Sequence, residues 1–205
     1  MRLPSQLLRA SLFAIVLVLV PTAYALAVPS PATSTHDPCF VVCPLADITY
    51  HVTVRDVAGI PIVNSTVVLD FSQCGFVHCQ VQPSGIVVND VAHTMSTLTN
   101  ASGVASFPLA MGGCCPSVLI SADGVLLATV SMTSPDQDAS LLVNGVDNAL
   151  VTAQVGTANG CADLDCSGTV TATDVAIVVA HNGHSCTGVV PTRPQSWGTL
   201  KTIYR

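Results

Sequence analysis

Two acid-rich stretches of twelve residues, set 27 apart, constrain this chain more than anything else in it. One runs from Asp163 to Asp174 and the other from Asp136 to Asp147. At this offset Asp136 falls on Asp163, Asp138 on Asp165, Ser140 on Ser167, Val143 on Val170 and Asp147 on Asp174. The correspondence continues through Ala149/Ala176, Val151/Val178, Ala153/Ala180 and Gly156/Gly183. A period shared by a loop and the apolar run behind it marks a repeated loop-helix unit. The chain holds twelve Asp and no Glu, and six of the twelve stand at positions 1, 3 and 12 of these two loops.

Carboxylates gathered in this way repel one another. At about 4 Å and an effective dielectric near 20, each pair costs roughly 4 kcal/mol. A cation reverses that sign. In the second loop Asp163, Asp165, Ser167, Thr171 and Asp174 supply side-chain oxygens at positions 1, 3, 5, 9 and 12, and Thr169 offers its carbonyl at position 7. Gly168 at position 6 permits the sharp turn. This is the spacing of an EF-hand-type calcium loop, departing from it in Ser at position 5 and Asp at position 12. In the first loop the matching set is Asp136, Asp138, Ser140, the Leu142 carbonyl, Asn144 and Asp147. Leu141 replaces the glycine there, so two Ca2+ sites are expected, the second the stronger. The alternative is two Asp/Ser-rich turns ahead of helices, with Asp147 and Asp174 as N-terminal acids.

A loop followed by one helix, occurring twice from about 134 to 186, resembles the dockerin-type module of secreted bacterial proteins. The residues carrying the likeness are Asp163, Asp165, Ser167, Gly168, Val170, Asp174 and their counterparts. The resemblance implies two calcium sites, loops paired through Val143 and Val170, antiparallel helices, and docking onto a cohesin-like protein partner. Recognition positions 10 and 11, often Ser-Thr in the family, are Gly145-Val146 and Ala172-Thr173 here. Leu150, Val151, Ile177 and Val178 are the expected core of the unit.

Residues 1–27 read as a signal peptide: Arg2 and Arg9, an apolar run from Leu12 to Val20, Pro21, and small residues for cleavage at Ala23-Tyr-Ala25. That run is too short to span a bilayer, which takes about 20 residues. The mature chain would carry four basic residues against twelve Asp, a net charge of −8, with no Lys or Arg between Arg55 and Arg193. Such a chain has no basic stripe for nucleic acid, and no membrane association is expected once the signal is removed.

The 28–38 segment, rich in Pro, Ser and Thr, reads as a flexible leader. From 39 to 133 the pattern is strand after short strand. Ile48 to Arg55 alternates, as do Val67, Leu69 and Phe71, and Ala105, Phe107 and Leu109. Further strands are expected at 76–82, 86–97, 117–122 and 125–131, the last two joined by Asp123-Gly124. Six or seven strands in this length predict a β-sandwich. The Val52-to-Pro61 opening, the Thr99-to-Phe107 turn and strand, and the Ala122-Asp123-Gly124 hairpin resemble bacterial Ig-like domains of surface and secreted proteins. The predicted fold class is therefore mainly β with a small α module.

Nine cysteines point to an oxidising compartment. Six lie in the β region, enough for three bridges there, and adjacent Cys114 and Cys115 should bond to different partners. Cys161 or Cys166 is expected to bond Cys186. Zinc is the alternative, at Cys74, His78 and Cys79 or at His181, His184 and Cys186.

An enzyme is not expected. A glycosidase needs two carboxyls across a cleft, and outside the loops only Asp37, Asp47, Asp56, Asp70, Asp90 and Asp123 remain. No nucleophile-elbow pattern appears. The 187–205 tail holds Pro191, Pro194 and Trp197 to Tyr204, read either as packing on its neighbour or as a docking or sorting tag. The functional expectation is a secreted, non-enzymatic calcium-binding protein that docks a protein partner, with a cell-surface adhesin as the competing class.

Overall fold

A computed structural model describes residues 27–186. The signal-peptide reading and the tail lie outside the described residues. Nine strands form two sheets: β1 (Thr35–His36), β2 (Phe40–Val41), β3 (Thr49–Thr53), β4 (Thr66–Asp70), β5 (Val87–Asn89), β6 (Thr94–Leu98), β7 (Val104–Pro108), β8 (Cys115–Ala122) and β9 (Val125–Thr133). The smaller sheet has the order β1-β3-β7 and the larger β2-β9-β8-β4-β6-β5. All neighbours are antiparallel except β2 and β9. Two helices follow, α1 (Gly145–Thr152) and α2 (Ala172–Ala180). The protein is mainly β, and no helix among the described residues is long and apolar enough to cross a membrane.

Period-two alternation builds the layers. Tyr50 and Val52 of β3 and Ala105 and Phe107 of β7 point inward from the small sheet, meeting Val67, Leu69, Met95, Val118, Ile120 and Met132 from the large one. Each of the larger aliphatic, Met and Phe side chains taken from water contributes about 1.5–3 kcal/mol. Asp123 and Gly124 both have positive φ, 46° and 82°, the geometry that lets a two-residue turn match the twist of β8 and β9.

Three expectations for this region are corrected. The 28–38 segment is part of the fold: Thr35 and His36 pair with Thr53 and Val52, and Ser30 donates its amide to the Arg55 carbonyl. The 76–82 run is not a strand. The Gln82 side chain donates to the Cys79 and Ala110 carbonyls and accepts the Ala110 amide, satisfying this backbone without a ladder. The 86–97 run is two strands, because the Asn89 side chain accepts the Val91 and Ala92 amides and His93 turns the chain at φ 53°.

The bridges also differ from expectation. They join Cys39–Cys166, Cys74–Cys115, Cys79–Cys186 and Cys114–Cys161, leaving Cys43 free and buried. Cys186 therefore bonds neither Cys161 nor Cys166, and only one bridge lies within the β region. Cys114 and Cys115 do bond to different partners. Spacing alone cannot locate such partners, because facing turns 107 and 127 residues apart meet only in the fold. The four disulfides suit an oxidising, extracellular environment.

Candidate metal centres

The repeated loops have matching geometry. In the second, Asp163 Oδ1 accepts the Ser167 amide at 3.0 Å and Oδ2 the Gly168 amide at 2.7 Å. In the first, Asp136 Oδ1 accepts the Ser140 amide at 3.0 Å and Oδ2 the Leu141 amide at 2.8 Å. Asp165 and Asp138 accept the same Ser167 and Ser140 amides, each at 3.0 Å. The Ser167 and Ser140 hydroxyls donate to the Thr169 and Leu142 carbonyls, at 3.1 and 3.2 Å. Each loop thus curls its own amides onto its first carboxylate.

The last position of each loop serves two structures at once. Asp174 is the third residue of α2, where it accepts the amide of the N-cap, Thr171, at 2.7 Å, and reaches back to the Leu164 amide at 2.7 Å. Asp147 does the same in α1 for Asn144, at 2.8 Å, and Gln137, at 2.7 Å. These are capping boxes whose acid also closes the loop. The position-9 side chains, Thr171 and Asn144, accept the Thr173 and Val146 amides as N-caps.

The structure gathers Asp136, Asp138 and Asp147 so that one carboxylate oxygen of each lies within 4.8 Å of the others, and it does the same for Asp163, Asp165 and Asp174. Asp136, Asp147 and Asp174 are wholly buried. No Lys or Arg stands by either trio: Arg55, the one such residue among those described, bonds the Gly59 carbonyl. Burial pushes the Asp136 carboxyl up to about 6, against the opposing pull of the Leu141 amide. Hydrogen bonds from Ser140 and Ser167 hold Asp138 and Asp165 below the ordinary carboxylate value. In each trio two buried acids and one exposed one, without a basic partner among the described residues, are a donor set suited to a hard divalent cation. Asp136, Asp138, Asp147 and the Leu142 carbonyl would hold it in the first loop, and Asp163, Asp165, Asp174 and the Thr169 carbonyl in the second.

Val143 and Val170 share one buried cluster with Val151, Val178, Ala162, Leu164 and Cys43. Their backbones do not pair with each other. Val143 exchanges hydrogen bonds with Gly183 and His184, beyond α2, and Val170 with Gly156 and Thr157, beyond α1. The two units therefore embrace reciprocally, each loop held by the chain leaving the other helix. Of the expected core residues Val151 and Val178 are buried, Ile177 packs partly, and Leu150 lies outside it, 43% exposed.

Both zinc combinations weighed as the alternative to disulfides are ruled out by the bridges, which consume Cys74, Cys79 and Cys186. The structure instead brings His181 and His184 to Cys43 and Asp47. The only sequence signal for this set is local: Cys43 and Asp47 sit four apart, and the histidines three apart.

The non-loop acids have structural partners. Asp37 binds His51, Asp90 binds His78, Asp56 and Asp70 cap turns, and Asp123 holds Ser65 and Thr66. No protein-family model matches the chain, and no curated protein matches it.

Proposed function

We propose that this is an exported, non-enzymatic calcium-binding protein, in which an Ig-like β-sandwich presents a dockerin-like pair of loop-helix units to a protein partner. The observation carrying the reading is the duplicated carboxylate trio, built twice at an offset of 27 and with no Lys or Arg beside either copy among the described residues. Calcium supplies the charge that offsets their mutual repulsion. The docking part rests on apolar side chains left on the helices: Val146, Leu150 and Val179 are exposed. A pocket between the helices is lined by Asn144, Gly145, Asn148, Val178, Val179 and Asn182. Solvent-facing apolar residues gathered beside a pocket suit a contact surface.

One observation favours the adhesin reading. Cys39–Cys166, Cys79–Cys186 and Cys114–Cys161 bolt the loop-helix units to the β layers, so the C-terminal part is not a free-swinging module. On that reading calcium stiffens the molecule and the sandwich does the binding.

The test uses the full chain, since a 134–186 fragment would orphan three cysteines. Chelator-treated protein titrated with Ca2+ in a calorimeter, followed by far-ultraviolet circular dichroism, should show two binding events and a gain of helical signal. Absence of calcium binding would overturn the reading. Partner capture that is calcium-dependent and lost in Val146→Asp or Val179→Asp supports docking through the helices; capture indifferent to both supports the adhesin.

A further inference from the structure

We propose that Cys43, Asp47, His181 and His184 form a four-ligand zinc site that ties the turn between β2 and β3 to the C-terminal end of α2. One ligand atom from each residue lies within 4.8 Å of all the others. Cys43 Sγ is 3.5 Å from His184 Nδ1, which is 3.3 Å from Asp47 Oδ2, and His181 Nε2 is 3.7 Å from that same oxygen. Ligands held roughly 2.0–2.3 Å from one tetrahedral zinc lie about 3.3–3.7 Å from each other. Three of the six edges fall in that range, and the remaining ones lie within 4.8 Å.

Two short turns create the arrangement. The Ala46 amide donates to the Cys43 carbonyl at 2.8 Å, and Ala46 adopts φ 59°, which brings Asp47 alongside Cys43. The His184 amide donates to the His181 carbonyl at 2.9 Å, with Gly183 at φ 87° between them. His181 Nδ1 lies 2.8 Å from the Ile177 carbonyl. A carbonyl only accepts, so Nδ1 carries a proton and Nε2 is the ring nitrogen left to face a metal beside Asp47. That is the backbone-oriented imidazole common behind metal ligands.

The cysteine inventory points the same way. Eight of nine cysteines are bridged, and the one left over is the one facing two imidazoles and a carboxylate. In an oxidising compartment a spare thiol is a liability unless something occupies it. Burial pushes the Cys43 thiol up to about 12, a Leu45 amide offsetting part of that and Asp47 adding to it. A protonated, enclosed thiol is a poor nucleophile, which disfavours a catalytic role. Zinc replaces that proton, and the thiolate and carboxylate together neutralise the ion. Thiolate and imidazole donors prefer zinc to calcium, so this site and the Asp loops select different metals.

The zinc site is independent of the calcium loops, and the experiment reads the two separately. The full chain, freed of metal and returned to saturating Ca2+, is titrated with Zn2+ against a chromophoric competitor and, in parallel, with Co2+. The expected result is one equivalent of zinc. With cobalt, a thiolate charge-transfer band and intense tetrahedral d–d absorption should appear. Cys43→Ser should abolish the charge-transfer band and weaken zinc at least about tenfold. His181→Gln, at a partly exposed position, should weaken zinc similarly while keeping the four disulfides and the far-ultraviolet spectrum. Asp163→Asn should lose calcium at its own loop and leave the cobalt spectrum unchanged. A wild-type chain with reduced Cys43 that shows no charge-transfer band overturns the proposal. So does a band that survives Cys43→Ser, or zinc affinity unmoved by His181→Gln.

Discussion

Gly112 lies directly against the carboxylate of Asp136: a Cβ at this position would overlap Oδ2, and the neighbouring Gly113 amide donates to the Asp136 carbonyl at 2.7 Å. The connection between β7 and β8 thus forms the back wall of the first loop. Gly112→Ala must push that carboxylate aside. We expect calorimetric stoichiometry to fall from two Ca2+ to one, with a loss of about 1–3 kcal/mol in stability from overpacking. Unchanged stoichiometry would show that Asp136 does not ligate.

Asp163→Ala should cost more calcium affinity than Asp136→Ala. The sixth loop residue turns through the left-handed region in both copies, at φ 91° for Gly168 and φ 62° for Leu141. Glycine adopts this freely, whereas leucine is strained by about 1–2 kcal/mol. The first loop starts from a weaker position. Equal losses in parallel titrations would count against that ranking.

Leu141→Gly and Gly168→Ala should both destabilise the chain, for different reasons. Leu141 is buried against Cys79 and Ala110, so Leu141→Gly relieves strain yet opens a cavity, for a net loss of about 1–4 kcal/mol. Nothing lies near a Cβ added at Gly168, so Gly168→Ala should cost only its backbone strain, about 1 kcal/mol. Chemical denaturation of the calcium-loaded chain measures both. A stabilising Leu141→Gly would contradict the packing argument.

Metal-free stability should fall as pH rises from about 4 to about 6. The folded Asp136 carboxyl titrates near 6, against 3.8 for the ordinary group. Between these values the folded chain holds a proton that the unfolded chain has released, so its stabilising effect is full below the lower value and lost above the upper. The contribution of this group is on the order of 2–3 kcal/mol. Calcium should reverse the trend, because a proton competes with the ion and binding at the first loop weakens as pH drops through 6. Denaturation midpoints at several pH values, in chelator and in calcium, supply the check.

Non-reducing peptide mapping should recover Cys39–Cys166, Cys74–Cys115, Cys79–Cys186 and Cys114–Cys161, with Cys43 alkylated only after denaturation. Replacing both Cys79 and Cys186 by Ala removes a closure over 107 residues and should cost about 2–5 kcal/mol. A Cys161–Cys186 or Cys166–Cys186 peptide would instead restore the pairing expected from spacing.

Much of the fold was legible locally. Alternation located β3, β4 and β7, and Asp123-Gly124 located the hairpin of β8 and β9, because each signal lies within a few residues of its effect. The 27-residue repeat located both carboxylate trios, since a loop closing on its own amides needs no distant partner. Local reading missed β1 and β2, whose short runs become strands only by lying against β3 and β9.

By itself, then, the sequence determined the two acid loops, their helices and most strands, for which a short stretch of chain carries all the information. Tertiary structure alone decided which cysteines bond, why Leu141 is tolerated, and that Cys43 and Asp47 meet His181 and His184. Those outcomes join residues that are distant in sequence, by up to 127 positions for a bridge and 141 for the Cys43–His184 contact, and no spacing along a chain encodes which surfaces its folding will press together.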